Sequence, residues 1–439
     1  MTLNPWRPIK LNLIKLLRKN SALKAFSPSI NQSKQLIEGV KVKKLLSQYG
    51  SPLFIVSQEI LNQKLLILTQ VLKSQYPHFS IAYSIKTNNL FKICQFFKRK
   101  GILAEVVSDY EYWLAKKLGY SDSNIIFNGP HKTEKTLHLA LKHNAKIHLD
   151  NQQELELIQK LSQPLNKKIN IGVRLNTFTT KPNSRFGFNI ETSEASKIIK
   201  KIVKTPQLTL NGIHLHLGSN ISHTQIYQKS LNAICKFINQ TSMQIPLQLE
   251  YLDVGGGFPV LNSGAFDWQL FTYSINDYIK AITQPIKSHG LSRLKLILEP
   301  GRYLVDEAIL LISTVLHSRQ NQNHNQVTVD ISSSILPLAR TRFQKISLIQ
   351  THPKRKPKLY KTNIFGSSCI ETDILAKNQP LPLIHSGDII CFHNAGAYNL
   401  TQSSQFISPR PAVVMIANKK TLLIKKAEAN QDLFYLNQT

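Results

Sequence analysis

One unit, repeated from about residue 79 onward, restricts this chain more than any other feature: a short apolar, β-branched run followed by a helical pattern. The runs are "FSIAYSIK" (79–86), "ILAEVVS" (102–108), "NIIFNG" (124–129), "AKIHLD" (145–150), "INIGVRLN" (169–176), "LNGIHLHLG" (210–218), "LEYLDVGGG" (249–257) and "KLILEPGR" (295–302). Between them, segments such as "QQELELIQKLSQ" (152–163) and "QIYQKSLNAICKFINQ" (225–240) carry apolar residues at three-to-four spacing, the mark of amphipathic helices. Strands alternating with helices predict a parallel sheet, and eight such units predict an α/β fold closed into a TIM-like (β/α)8 barrel.

Beyond Arg302 the helical periodicity fades. Strand-like runs separated by turn residues follow: "VTVDIS" (327–332), "KLYKTNIFG" (358–366), "GDIICFHNAGAY" (387–398) and "PAVVMIANKKTLLIKK" (411–426). These predict a C-terminal all-β domain, and "YGSPLFIVS" (49–57) ahead of the barrel is expected to lend it a strand. The expected division is a basic extension over 1–35, a barrel over 56–302, and a β-domain built from 36–55 and 303–439.

With 55 Lys and Arg against 25 Asp and Glu, the formal charge is +30. Such a balance invites a nucleic-acid or acidic-partner reading. The lysines are nevertheless scattered, with local concentrations only in residues 1–46 and in "HPKRKPK" (352–358), and no nucleic-acid motif is present, so no nucleic-acid partner is expected. The stretch "LNLIKLLRKNSALKAF" (11–26) has the pattern of a basic amphipathic helix that contacts an anionic membrane surface. No run of apolar residues is long enough to span a bilayer. Cys94, Cys235, Cys369 and Cys391 form neither a CxxC pair nor a zinc spacing, which fits a reduced, cytoplasmic protein.

In a barrel of this kind the chemistry gathers at the carboxyl ends of the strands, where the loops converge on one mouth. The unusual polar residues fall there. Lys86 ends the first strand, His214 and His216 lie near the end of the sixth, Gly255, Gly256 and Gly257 follow the seventh, and "EPGR" closes the eighth. Glu105 is an acid within the apolar second run. A lone lysine reads as a surface or capping residue, three glycines as a tight turn, and an HxH pair as a zinc site, but no third ligand joins the histidines and no metal is expected. Taken together, the glycines offer backbone N–H groups to an anion, Lys86 is an amine able to form an imine, and Glu299 is a buried acid needing a cationic partner such as Arg302 or a protonated ring nitrogen. That combination describes a site for pyridoxal 5'-phosphate.

The chain resembles the fold-type III pyridoxal phosphate decarboxylases, the group of ornithine, arginine and diaminopimelate decarboxylases, and in motif order it is most similar to the diaminopimelate members. The matching stretches are "YSIKTN" (83–88), "AEVVSDYE" (104–111), "GIHLHLGS" (212–219), "DVGGGF" (253–258), "EPGR" (299–302), "CIETD" (369–373) and "GAY" (396–398). The resemblance implies an alanine-racemase-like barrel, with Lys86 as the cofactor lysine, His216 against the pyridine ring and Glu299 on the ring nitrogen. It further implies that Glu105, Ser219, Gly256, Gly257, Gly301, Arg302 and Tyr398 surround the cofactor, and that Arg302 and Tyr398 also reach the substrate. Cys369 would come from the partner subunit of a homodimer as proton donor. His214 has no assigned role beyond packing.

Departures from the pattern concern the substrate. Members acting on diamino acids follow the cysteine with an acid that takes the distal ammonium, and here Ile370 stands there. "LPLARTRF" (336–343) matches the family's Arg-Pro element poorly, leaving Arg340 or Arg342 to take a carboxylate or phosphate. The expected activity is decarboxylation of an amino acid other than an ordinary diamino acid, with an aminoacyl group on an acidic carrier protein as the variant the charge suggests. A racemase on the same barrel and an inactive regulator like the antizyme inhibitors are the alternatives. Retention of Lys86, His216, Glu299 and Cys369 speaks against the inactive form.

Overall fold

The computed structural model of this chain describes residues 26–179, 184–260, 273–321, 324–351 and 358–435. The basic stretch 11–26 and the loop 352–358 therefore lie outside the described residues, except for Phe26 and Lys358. The chain forms two compact units. One comprises Leu66–Pro259 with Tyr273–Gly301; the other comprises the described residues up to Leu65, Val260 and those from Arg302 onward.

Eight parallel strands of the first unit form a ring: β1 (Phe79–Ser84), β2 (Leu103–Val106), β3 (Ile125–Phe127), β4 (Lys146–Leu149), β5 (Ile169–Asn176), β6 (Leu208–His214), β7 (Tyr251–Asp253) and β8 (Lys295–Leu298). Each pairs with the next, β8 pairs with β1, and β4 pairs with β5, so the ring is closed. Two strand glycines explain how large polar side chains fit inside it. A Cβ on Gly172 would lie 2.4 Å from the His148 ring, and one on Gly212 would lie 2.0 Å from the Tyr251 ring. A glycine within a strand costs stability, and here it gives room to a neighbouring side chain.

Four of the barrel helices start at side-chain caps. Ser108, Thr133 and Asn151 accept from the backbone N–H groups of Glu111, Thr136 and Glu154, and Ser274 with Asp277 forms a complete capping box. Glu111 and Glu154 also reach back, accepting from the N–H of Val107 at 2.8 Å and of Asp150 at 3.0 Å. These bonds fix the chain just past the ends of β2 and β4.

In the second unit the long strand Ile309–Asn321 is central. It pairs antiparallel with Leu53–Ser57, His324–Val329 and Ile389–Phe392, while Leu53–Ser57 pairs parallel with Ala412–Ala417. The segment preceding the barrel thus supplies an interior strand of this sheet. Ala412–Ala417 turns into Lys420–Lys425 through Asn418 and Lys419 at φ +50° and +61°, the left-handed pair of a tight hairpin. Leu53, Ile55, Leu310, Ile312, Cys391, Val414 and Ile416 pack as its core.

Candidate active site

β1 ends at Ser84, and a 3-10 turn over Ile85–Thr87 carries Lys86 just beyond it. Its Nζ donates to both oxygens of Glu105, at 2.8 and 2.6 Å. Glu105 is buried, so this amine is what balances its charge. The turn is packed from β8: a Cβ on Gly301 would fall 1.9 Å from Thr87 Oγ1, so only glycine fits the "EPGR" motif there.

Asn128, after β3, joins the acids of β2 and β8. Its Nδ2 donates to Glu105 at 3.2 Å and to Glu299 at 2.7 Å. Its carbonyl lies 2.6 Å from His148 Nδ1, and His148 Nε2 lies 3.0 Å from the Tyr251 hydroxyl. The donors therefore run one way, from Tyr251 O–H to His148 Nε2, from His148 Nδ1–H to Asn128, and from Asn128 to the two carboxylates. Burial, reinforced by the His214 ring, pushes His148 well below the usual imidazole range, consistent with a neutral ring carrying its proton on Nδ1.

His214 stacks on His148 with ring centroids 4.6 Å apart, and its Nε2 lies 3.5 Å from Glu299. His148, His214 and Glu299 are close enough to share an ion, but both His148 nitrogens are already engaged by Asn128 and Tyr251, so the trio does not form a ligand set. Burial, then Arg174 and Lys86, hold His214 well below its usual value, and it packs as a neutral ring. β6 stops at His214, so strand alternation no longer governs His216, which turns instead to the glycine loop: its Nδ1 accepts from Gly256 N–H at 3.3 Å. Burial first, then Lys86, lower His216 to about 3. Its proton therefore sits on Nε2 and the ring is uncharged.

The glycine turn after β7 needs its glycines. Gly255 and Gly257 have φ of +66° and +100°, and a Cβ on Gly256 would approach Glu299 O to 2.3 Å. Asp253, at the end of β7, accepts from Gly255 N–H at 2.9 Å, and burial followed by the Glu299 carboxylate pushes it well above the carboxyl range. Burial beside Glu299 therefore favours the protonated form of Asp253. Ser219 is exposed in the loop beyond β6.

The remaining candidates belong to the second unit. Arg302 does not serve Glu299; its Nη1 lies 3.2 Å from Asp306, and its guanidinium lies 5.2 Å from the centre of the Tyr398 ring. Asp306 also takes Arg342 at 2.7 Å and the Ala397 N–H at 3.0 Å. Arg342 is consumed by this buried pair, whereas Arg340 is exposed, with its Nε on Ser333 at 2.9 Å. Tyr398 adopts φ +64°, an uncommon conformation for a tyrosine. Cys369 is exposed, in a loop tied by Asp373, which accepts from the N–H groups of Ser333 and Ser368. Ile370 is 37% exposed and offers only hydrocarbon.

The structure thus brings Lys86, Glu105, His216, Gly256, Gly257, Glu299 and Gly301 together in the barrel, and pairs Arg302 with Tyr398 in the β-rich unit. Sequence reasoning missed Asn128, His148, Tyr251 and Asp253. A histidine inside the apolar run "AKIHLD" was the visible signal for the second of these.

Residues 63–306, more than half of the 439-residue chain, match the family described as pyridoxal-dependent decarboxylase, pyridoxal binding domain. Among curated proteins, the diaminopimelate decarboxylase of Aquifex aeolicus is 27% identical over 422 residues, covering 92% of this chain and 96% of the relative. That of Vibrio cholerae is 27% identical over 411 residues, covering 91% and 95%. Among solved structures, the diaminopimelate decarboxylase of M. jannaschii superposes with a TM-score of 0.85 at 23% identity, covering 94% of this chain and 98% of that one. A structure solved in complex with PLP and cadaverine gives a TM-score of 0.75 at 21% identity, covering 90% and 96%. With more than half of its length matched, the chain belongs to the pyridoxal-dependent decarboxylase family.

Proposed function

We propose that this chain removes the α-carboxylate of an amino acid, using pyridoxal phosphate held by Lys86. The observation that carries the reading is the continuous set Lys86, Glu105, Asn128 and Glu299, which links an amine at the end of β1 to a buried carboxylate at the end of β8. The residues fit the cofactor: a Cβ on Gly255, Gly256 or Gly257 would come within 2.7 Å of neighbouring protein atoms, so the turn packs as bare backbone, and Glu299 lies buried with Asn128 as its amide donor and no Lys or Arg bonded to it among the described residues.

When bound, the cofactor supplies an electron sink for the pair left by loss of CO2. Glu299, oriented by Asn128, would offer the anion that keeps the cofactor's ring nitrogen protonated. His216, uncharged, adds no positive charge to compete with that proton. Glu105 holds the Lys86 ammonium with both oxygens, so the free amine has a defined resting place. Cys369, with its exposed thiol, is the proposed proton donor to the α-carbon, supplied across a homodimer; Lys86 is the other candidate.

For the substrate we propose an amino acid whose distal end is not a bare ammonium. Placing an ammonium against Ile370 would leave it unpaired at a cost of about several kcal/mol. An anionic distal end, free or on an acidic carrier protein, accords with the +30 charge. Diaminopimelate is the second reading, favoured by relatives of that name that span almost the whole chain. Purified, cofactor-loaded protein should release CO2 from one member of a panel containing diaminopimelate, lysine, ornithine, acidic amino acids and carrier-linked forms. Borohydride reduction should label Lys86, and Lys86→Ala should abolish both the label and the visible absorbance. Failure of the wild-type protein to take up pyridoxal phosphate would end this reading.

A further inference from the structure

The glycine turn is held from behind by atoms outside the catalytic set. The Tyr227 hydroxyl, on the helix Thr224–Gln244, donates to Gly256 O at 2.6 Å, and the Ile221 N–H donates to Gly257 O at 2.9 Å. In a trans peptide the C=O and the following N–H point in opposite directions. Holding Gly256 O toward Tyr227 therefore turns the Gly257 N–H away from that helix, and holding Gly257 O toward Ile221 turns the Phe258 N–H away likewise. Neither N–H has a hydrogen-bond partner among the described residues. Two successive free N–H groups on a left-handed glycine make an anion-binding nest.

We infer that Tyr227 is a positioning residue that orients the Gly256–Gly257 peptide so that its N–H is presented to the phosphate of the cofactor. The tyrosine suits the task. It is wholly buried, its ring stacks on Phe258 at 5.6 Å between centroids with 8° between planes, and Tyr278 meets it edge-on at 5.8 Å. Burial, with Tyr278 adding to it, raises the Tyr227 hydroxyl well above its usual range, so it remains a donor. A Cβ on Gly257 would stand 3.0 Å from that hydroxyl and 2.6 Å from Gly218 O, so the turn and its clamp are mutually fitted.

This inference rests on the pyridoxal phosphate reading, and the test keeps the two apart. Equilibrium dialysis of cofactor-stripped wild type, Tyr227→Phe and Tyr278→Phe would measure binding of pyridoxal phosphate and of pyridoxal, which lacks the phosphate. Tyr278 is the matched control: its buried hydroxyl also donates at 2.6 Å, but to Ile221 O, outside the two peptides of the nest. Tyr227→Phe should weaken pyridoxal phosphate binding about tenfold, leave pyridoxal unchanged, and differ in this from Tyr278→Phe. Equal loss for both ligands, equal loss in both variants, or no loss would overturn the clamp. Should Tyr227→Phe fail to fold, amide exchange in the wild type decides: the Gly257 and Phe258 N–H groups should be slowed by pyridoxal phosphate and not by pyridoxal, and equal slowing would overturn the inference. Absence of binding by the wild type would overturn the decarboxylase reading itself.

Discussion

Asn128 donates to Glu105 and Glu299 while its carbonyl accepts from His148, so Asn128→Ala removes one shared donor from two buried carboxylates. The variant should lose about 1–3 kcal/mol of stability by denaturant titration, with weaker retention of the cofactor. His216 makes a separate, pH-dependent prediction. Its value in the folded protein is about 3 against the ordinary 6.5, so between those values the unfolded chain binds a proton that the folded chain does not. Its stabilising contribution is complete above about 6.5 and declines as pH falls toward about 3; His148 and His214 act in the same direction. Cofactor-free His216→Gln should therefore lose about 1–2 kcal/mol less than the wild type between pH 6.5 and 5, read from urea midpoints at constant m. Most of the barrel's chemistry was legible because strand ends in this fold converge, which directs attention to Lys86, Glu299 and the glycines. Asn128 and Tyr251 were not, because their roles depend on which side chains meet across the interior from β3, β4, β7 and β8, a matter of register that no local pattern states.

At the scale of elements, alternation identified all eight barrel strands, since an apolar β-branched run gives way to helical spacing after each of them. The β-rich unit was less readable. Its central strand, Ile309–Asn321, opens with the apolar run "ILLI", which has no period of two and so does not announce itself as a strand. Ile346–Ile349 and Ile374–Pro382 were also passed over, being short or interrupted by polar residues and proline. Ile312 lies fully buried in this strand and pairs with both Leu53 and Cys391. Ile312→Ala should cost about 2–5 kcal/mol, measured as a lower denaturation midpoint. Ser108→Ala, which removes only a helix cap, should cost about 1 kcal/mol.

For the whole molecule, the excess of 55 basic over 25 acidic side chains acts at long range. If the substrate or its carrier is anionic, kcat/KM should fall steeply from low to moderate salt while kcat holds, because screening slows encounter and leaves the bound state intact. A flat salt profile would remove the anionic-partner proposal and leave the decarboxylase assignment standing. Among the described residues no helix is long and apolar enough to cross a membrane, and the membrane-contact expectation for residues 11–26 concerns a segment outside them.

The strand Leu53–Ser57 has both of its neighbours, Ile309–Asn321 and Ala412–Ala417, far downstream. During translation it leaves the ribosome as a sticky ribbon, and every barrel strand must be made before its first mate exists. Nascent chains halted before residue 309 should accordingly engage chaperones, whereas release from them should await the final hairpin, making this protein's maturation a post-synthetic event.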